Sequence, residues 1–280
     1  MAAPDFVVVG HLTLDRIDGA VRPGGAALYA AITAHRLGLS VGVLTSHGDD
    51  FPLEALPPQI EVVTVPAART TVFEHRDTDG QRVLRVTDAA GPIGVADVPE
   101  DWKAATIVLL APVFNEVDPR LVTAFPDASL GAAAQGWLRA LGDDGVVTPA
   151  TWEPPEFFVD ALQALFLSLE DIGEDAAGAV EMFQRVPVGA LTAGDDGAQL
   201  FVSGERYEVR PRPARERDGT GAGDVFAAAF LIDYHRHGQP WDAAALAACA
   251  GSLAVEGDGP EAIPDRATLD AALRAYHAAD

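Results

Sequence analysis

The run Asp218-Gly219-Thr220-Gly221-Ala222-Gly223-Asp224, continuing into Val225-Phe226-Ala227-Ala228-Ala229-Phe230, decides how this chain is read. Its glycines let the backbone turn tightly and present its N–H groups. A helix-forming, alanine-rich run begins at once, so those N–H groups are expected at a helix N-terminus. Orphan donors and the positive end of the helix dipole then aim the same way, which makes an anion site. The carboxylate of Asp224 lies in the first turn beside it. The residues alone leave a plainer alternative open, a turn followed by an N-cap. No Lys-Ser or Lys-Thr follows the last glycine, so this is not a Walker A loop. Gly219, Gly221 and Gly223 alternate instead of following G-x-G-x-x-G, and the N-terminal strand lacks that fingerprint as well. Both facts argue against an NAD-dependent oxidoreductase.

The rest of the composition bounds the setting. At 280 residues and 49% hydrophobic, with positive mean hydropathy, the chain is long and apolar enough for a large core. A formal charge of −23 argues against nucleic-acid backbones and anionic membranes as partners. An anionic ligand would need local donors and a metal to overcome that field. The single cysteine, Cys249, excludes an internal disulfide and points to a reducing compartment. Met1 to Gly10 has no basic n-region, its apolar run Phe6–Val9 is too short for a signal peptide, and no apolar run reaches membrane length. A cytoplasmic protein is expected.

Along the chain, short buried-strand patterns alternate with helical ones. Phe6–Val9 reads as a strand buried on both faces, His11 to Pro23 as a loop carrying Asp15, Ala26 to Leu37 as a helix opened by Gly24-Gly25, and Val41–Thr45 as a second strand. That is one βαβ unit. Thr70 to Val86, turning at Asp77-Thr78-Asp79-Gly80, reads as a polar hairpin and a lid. Thr106–Leu110, Ala128–Ala132, Ala164–Ser168 and Val188–Thr192 read as further sheet strands, and Gln199–Val202 with Arg206–Val209 as another hairpin. Helices are expected over Asp175–Arg185, Asp224–His237, Trp241–Val255 and Ala267–Ala278. One domain spanning residues 1–280 with a small lid at 70–86 is the simplest division.

The run from Asp218 to Asp224 with Phe226 resembles the C-terminal signature of the ribokinase-like, PfkB-type sugar kinases, D-T-T-G-A-G-D-x-F. Gly24-Gly25-Ala26-Ala27-Leu28-Tyr29-Ala30 with Leu37-Gly38 resembles the family's G-G-x-x-x-N-x-A…L-G motif, and Leu191 to Ala198 its strand, turn and strand beside the nucleotide. The motifs stand in family order over essentially the whole chain. The resemblance implies a three-layer α/β/α ribokinase-like fold with a mostly parallel central sheet and a small β lid. It implies ATP and Mg2+ as cofactors and a small sugar, polyol or nucleoside as acceptor. Asp224 then matches the family's base, and the N–H groups of Gly221, Ala222 and Gly223 its anion hole. Nucleotide contacts fall on Thr192, Gly194, Gly197, Thr220 and Cys249. Because Asp224 stands at a helix N-terminus, its pKa is expected to be lowered, so that it orients the hydroxyl more than it deprotonates it.

Asp15 follows the first strand, where the resemblance implies a carboxylate for substrate hydroxyls; its alternative is a solvated loop acid. Gly24 and Gly25 would let the first helix approach the acceptor closely. Tyr29 replaces the family's Asn, and reads either as an acceptor contact or as core packing. Glu116 follows the strand ending at Leu110, at the end where ligands of open α/β sheets gather; it reads as a substrate contact or a loop acid. Ser168-Leu169-Glu170-Asp171 stands where relatives carry N-x-x-E, so Asp171 is a candidate to hold magnesium through water, with a helix cap as the alternative. Gln135-Gly136-Trp137-Leu138-Arg139 resembles the inositol kinases of the family and leans the acceptor toward a cyclic polyol or sugar. The first lid element, between Asp15 and Gly24, is expected to be reduced, and an exposed lid edge offers a surface on which two subunits can pair. The rival reading is a non-catalytic ligand-binding protein that keeps the fold.

Overall fold

A computed structural model describes residues 2–17, 19–78, 81–173 and 176–279. In chain order the strands and helices of the N-terminal half are β1 (Phe6–Val9), β2 (Thr13–Ile17), β3 (Ala20–Gly24), α1 (Ala26–Arg36), β4 (Val41–His47), β5 (Glu61–Pro66), β6 (Thr71–Thr78), β7 (Gln81–Asp88), β8 (Ile107–Leu110) and β9 (Ser129–Ala133). The C-terminal half adds β10 (Arg139–Leu141), β11 (Val147–Pro149), α2 (Glu156–Ala161), β12 (Ala164–Ser168), α3 (Leu169–Ile172), α4 (Ala176–Phe183), β13 (Val188–Thr192), β14 (Ala198–Val202), β15 (Glu205–Val209), α5 (Ala222–His237), α6 (Pro240–Ala254) and α7 (Arg266–Ala278). Asp79 and Gly80 of the expected turn, and Asp175 at the expected start of α4, lie outside the described residues.

The main sheet runs β15-β14-β13-β12-β9-β8-β1-β4-β5. It is parallel from β13 to β5; β14 alone is reversed, pairing antiparallel with β13 on one side and with β15 on the other. β1 shows why. Its four residues are fully buried, with Phe6 and Val8 in the core under α1, α5 and α6, and Val7 and Val9 in the core on the opposite face. A strand covered on both faces needs an unbroken apolar run, and each such side chain contributes roughly 1.5–3 kcal/mol by leaving water. The three layers of an α/β/α fold follow from that double burial.

A second sheet, β3-β2-β6-β7, stands apart from the main one. β2 and β3 pair antiparallel, with Asp15 opposite Arg22, and β2 pairs parallel with β6. The stretch read as a loop with a reduced lid element is therefore a hairpin supplying two strands. Its pattern is hard to read because both strands are short and end in polar or exposed residues: Thr13, Leu14 and Asp15 are buried, whereas Ala20, Val21 and Arg22 are exposed. A third hairpin, β10–β11, reaches the outer strand of this sheet. Val86 N–H donates to Gly145 O at 2.9 Å, Arg85 bridges to Val146, and the Arg85 and Asp144 side chains approach to 3.6 Å. No helix among the described residues is long and apolar enough to cross a membrane.

Candidate active site

The carboxyl ends of the central strands, the second sheet and the N-termini of α1 and α5 enclose one large cavity of about 1040 Å³. α5 begins as the glycines dictate. Gly221 is its N-cap in the left-handed region, φ 78°, and a side chain there would run into the ring of Tyr29 from α1. Only glycine satisfies both demands. Val225 N–H closes onto Gly221 O at 3.0 Å, and Ala222 N–H leans on Gly219 O at 3.3 Å. Gly221, Ala222, Gly223 and Asp224 all line the cavity, so the start of α5 presents donors and a positive dipole end to whatever enters. Thr220 lines it too, its N–H held by Asp218 Oδ1 at 3.0 Å.

Asp224 departs from expectation. Burial among protein groups pushes its carboxyl up to about 7, with the nearby Asp171 charge adding to the rise and Arg139 opposing it. The helix-terminus effect, worth about 0.3–1 kcal/mol at exposed sites, loses to desolvation here. Asp224 is half-buried and presents part of its surface to the cavity.

Asp15, which also lines the cavity, sits on β2, nine-tenths buried, and accepts from Thr13 Oγ1 at 3.1 Å. That excludes a solvated loop acid. Gly24, across the hairpin, lacks the Cβ that would strike the Asp15 carboxylate; it makes room for Asp15 and does not itself line the cavity. Gly25, the N-cap of α1, does. Tyr29 is 4% exposed and both packs under Gly221 and lines the cavity; burial, then Asp218, Asp15 and Asp224, hold its hydroxyl protonated.

Three expected residues lie differently. Glu116 does not line the cavity: Oε1 accepts from His11 N–H at 3.0 Å and Val113 N–H at 2.8 Å, and Oε2 from Phe114 N–H at 2.7 Å. It ties the loop after β8 to the loop after β1. Cys249 is fully buried in the core, while its neighbours Ala248, Gly251 and Ser252 line the cavity. Asp171 lines the cavity but also closes a capping box on α3, donating its N–H to Ser168 Oγ at 3.1 Å and accepting Ser168 N–H at 3.1 Å. Thr192, Gly194 and Gly197 line the far end. Arg139 carried no signal of its own as a site residue, yet it lines the cavity with Gln135 and Phe73.

Comparison with known proteins bears on the family and the fold. Residues 157–266 match the model of the pfkB family carbohydrate kinases. The chain is 25% identical to a cytidine kinase of Thermococcus kodakarensis over 253 residues, 84% of this chain and 90% of that protein. It is 28% identical to an inositol 3-kinase of Oryza sativa subsp. japonica over 256 residues, 86% of this chain and 64% of that protein. Its fold superposes on a pyrophosphate-dependent kinase in the ribokinase family with a TM-score of 0.79 at 22% identity, covering 95% of this chain and 99% of the other. Residues 157–266 thus resemble the pfkB family carbohydrate kinases, and the chain shares the ribokinase fold. With a cytidine kinase and an inositol 3-kinase among its relatives, it is a phosphotransferase with an alcohol group as acceptor.

The resemblance implies a divalent cation on the phosphates of the donor. Among the described residues, no group of three His, Cys, Asp or Glu side chains could hold a metal ion by itself. The cavity wall offers the hard carboxylate oxygens of Glu170 and Asp171, a donor set that fits Mg2+ brought in by phosphate and kept largely hydrated.

Proposed function

We propose that this chain is an ATP-dependent kinase that transfers the γ-phosphoryl group to a hydroxyl of a small sugar, polyol or nucleoside. One observation carries the reading: Asp224, the N-terminus of α5 and Asp15 converge on a single cavity. In this reading the acceptor lies between Asp15 and Asp224. The hydroxyl oxygen attacks the terminal phosphorus, the bond to the leaving phosphate oxygen breaks, and the hydroxyl proton passes to an Asp224 oxygen. With a pKa near 7, Asp224 is poised as a base at neutral pH. The α5 N-terminus stabilises charge on the transferring group, and positioning does most of the remaining work. Magnesium, held near Glu170 and Asp171, would neutralise the donor phosphates. The β3-β2-β6-β7 sheet, which contributes Thr13, Asp15, Phe73, His75 and Leu84 to the cavity, acts as the lid that excludes water.

A nucleotide donor is favoured because the cavity continues past Gly194 and Gly197 to Ala248, Gly251, Ser252 and Val255, wall beyond what phosphate alone requires. The rival, a ligand-binding protein without turnover, draws on Tyr29 in place of the family's Asn. The deciding assay measures ADP formation from MgATP, and orthophosphate from pyrophosphate, with myo-inositol, D-fructose, D-ribose and cytidine. Turnover with ATP that drops at least a thousandfold in Asp224→Asn is expected. Binding of an acceptor with no turnover on either donor would leave the rival standing.

A further inference from the structure

Arg139 sits where the turn after β9 runs into β10, and it is held from two sides. Its Nη1 donates to Val113 O at 3.0 Å, on the loop after β8, and its guanidinium carbon lies 5.7 Å from the centre of the Phe73 ring on β6. Its own carbonyl accepts from Asn115 Nδ2 at 2.6 Å. The side chain is thereby fixed between the main body and the second sheet, facing the cavity. Four carboxylates surround it, Asp171, Asp224, Glu116 and Asp15 in order of electrostatic effect. None of them closes onto it as an ion pair, so the other N–H donors of the guanidinium point to no protein acceptor among the described residues.

A half-buried arginine and carboxylates kept apart across a cavity define what fits between them. The occupant must accept hydrogen bonds from the guanidinium and donate them to the carboxylates. Hydroxyl groups do both, whereas phosphate and carboxylate only accept. An anionic acceptor would also meet Asp15, Asp171 and Asp224 against one nearby arginine. We propose that Arg139 is an acceptor-binding residue that commits the site to an uncharged polyhydroxylated molecule, donating to hydroxyls that in turn donate to Asp15 and Asp224. The proposal rests on the kinase reading for its orientation of the acceptor, and it deepens that reading by naming the acceptor's chemistry.

The test compares wild type, Arg139→Met and Arg139→Lys, each checked for folding by thermal melting. Acceptor binding is measured by calorimetry with myo-inositol, D-fructose and cytidine, and with the anions D-glucuronate and fructose 6-phosphate. KM for acceptor and for MgATP is measured on whichever acceptor turns over. Charged hydrogen bonds to a ligand predict a 10- to 100-fold loss of acceptor affinity in Arg139→Met, with KM for MgATP within about twofold and partial recovery in Arg139→Lys. The anions should bind at least 100-fold more weakly than the best neutral compound. A merely structural arginine would lower melting temperature and raise both KM values together, and that result overturns the proposal. So does an unchanged acceptor affinity in Arg139→Met, preferential binding of an anion, or binding of none of the neutral compounds. Arg139-dependent binding without turnover would sink the kinase reading and leave this assignment standing; turnover with an Arg139→Met acceptor KM equal to wild type would do the reverse.

Discussion

At Asp224 two effects oppose each other, and their sizes decide the chemistry. The N-terminus of α5 favours the carboxylate, but burial and the neighbouring Asp171 favour the acid, and the net result is a group titrating near 7. The unprotonated form is the one able to take a proton from the acceptor. The ratio kcat/KM should therefore fall about tenfold per pH unit below an apparent pKa near 7 and level off above it, since this ratio reports groups of the free enzyme. A flat profile from pH 5 to 8 would remove Asp224 from the base role. The same shift has a consequence for stability with a defined sign. A carboxyl whose pKa is raised on folding stabilises the native state when protonated; that contribution is complete below the unfolded value of 3.8 and is lost as pH rises toward 7. A neutral amide in place of this carboxyl would carry no such loss. Asp224→Asn should melt like wild type near pH 4 and several degrees higher at pH 8.

Helices α1 and α5 meet at a single point where both the backbone and the packing demand glycine. Gly221 holds a left-handed φ of 78°, and its missing Cβ leaves room for the ring of Tyr29. Gly221→Ala should cost about 1–3 kcal/mol, measurable by urea unfolding, and should lower kcat by at least tenfold because the donors of α5 are displaced. A substituted enzyme with normal kcat would show that the α5 terminus does not touch the transferring group. How legible each part was follows from how local its cause is. β1, β8, β12 and β13 announce themselves because burial on both faces demands an apolar run within four or five residues. The α5 terminus announces itself through its glycines. β2–β3 and β10–β11 do not, since their pairing partners, β6 and β7, are remote in sequence and their own residues are largely polar or exposed. Glu116 looked like a ligand contact by position, but its partners are backbone N–H groups one hundred residues apart in the chain, from His11 to Val113. Arg139 is legible only once β6 has been folded over it.

For the molecule as a whole, a charge of −23 has to be reconciled with a donor that is itself an anion. The cavity does little to reverse the field. Asp15, Glu170, Asp171, Asp195, Glu216 and Asp224 line it, against Arg139 and Arg212, and Arg212 is already paired with Glu256 at 3.2 Å. The attraction for phosphate must then come from short-range sources, the α5 terminus and the cation carried by the donor, while the long-range term repels. These two respond differently to salt. At about 0.01 M ionic strength the screening length is roughly 30 Å, comparable to the molecule, and at 0.15 M it is about 8 Å. Screening therefore removes the repulsion before it weakens the local contacts. KM for MgATP should fall several-fold as tetramethylammonium chloride, whose cation is too bulky for a compact oxygen site, rises from about 10 to 150 mM. KM for an uncharged acceptor should not move over the same range. A KM for MgATP that rises instead would mean that local positive charge dominates at the donor end, and the balance drawn from the lining residues would be wrong.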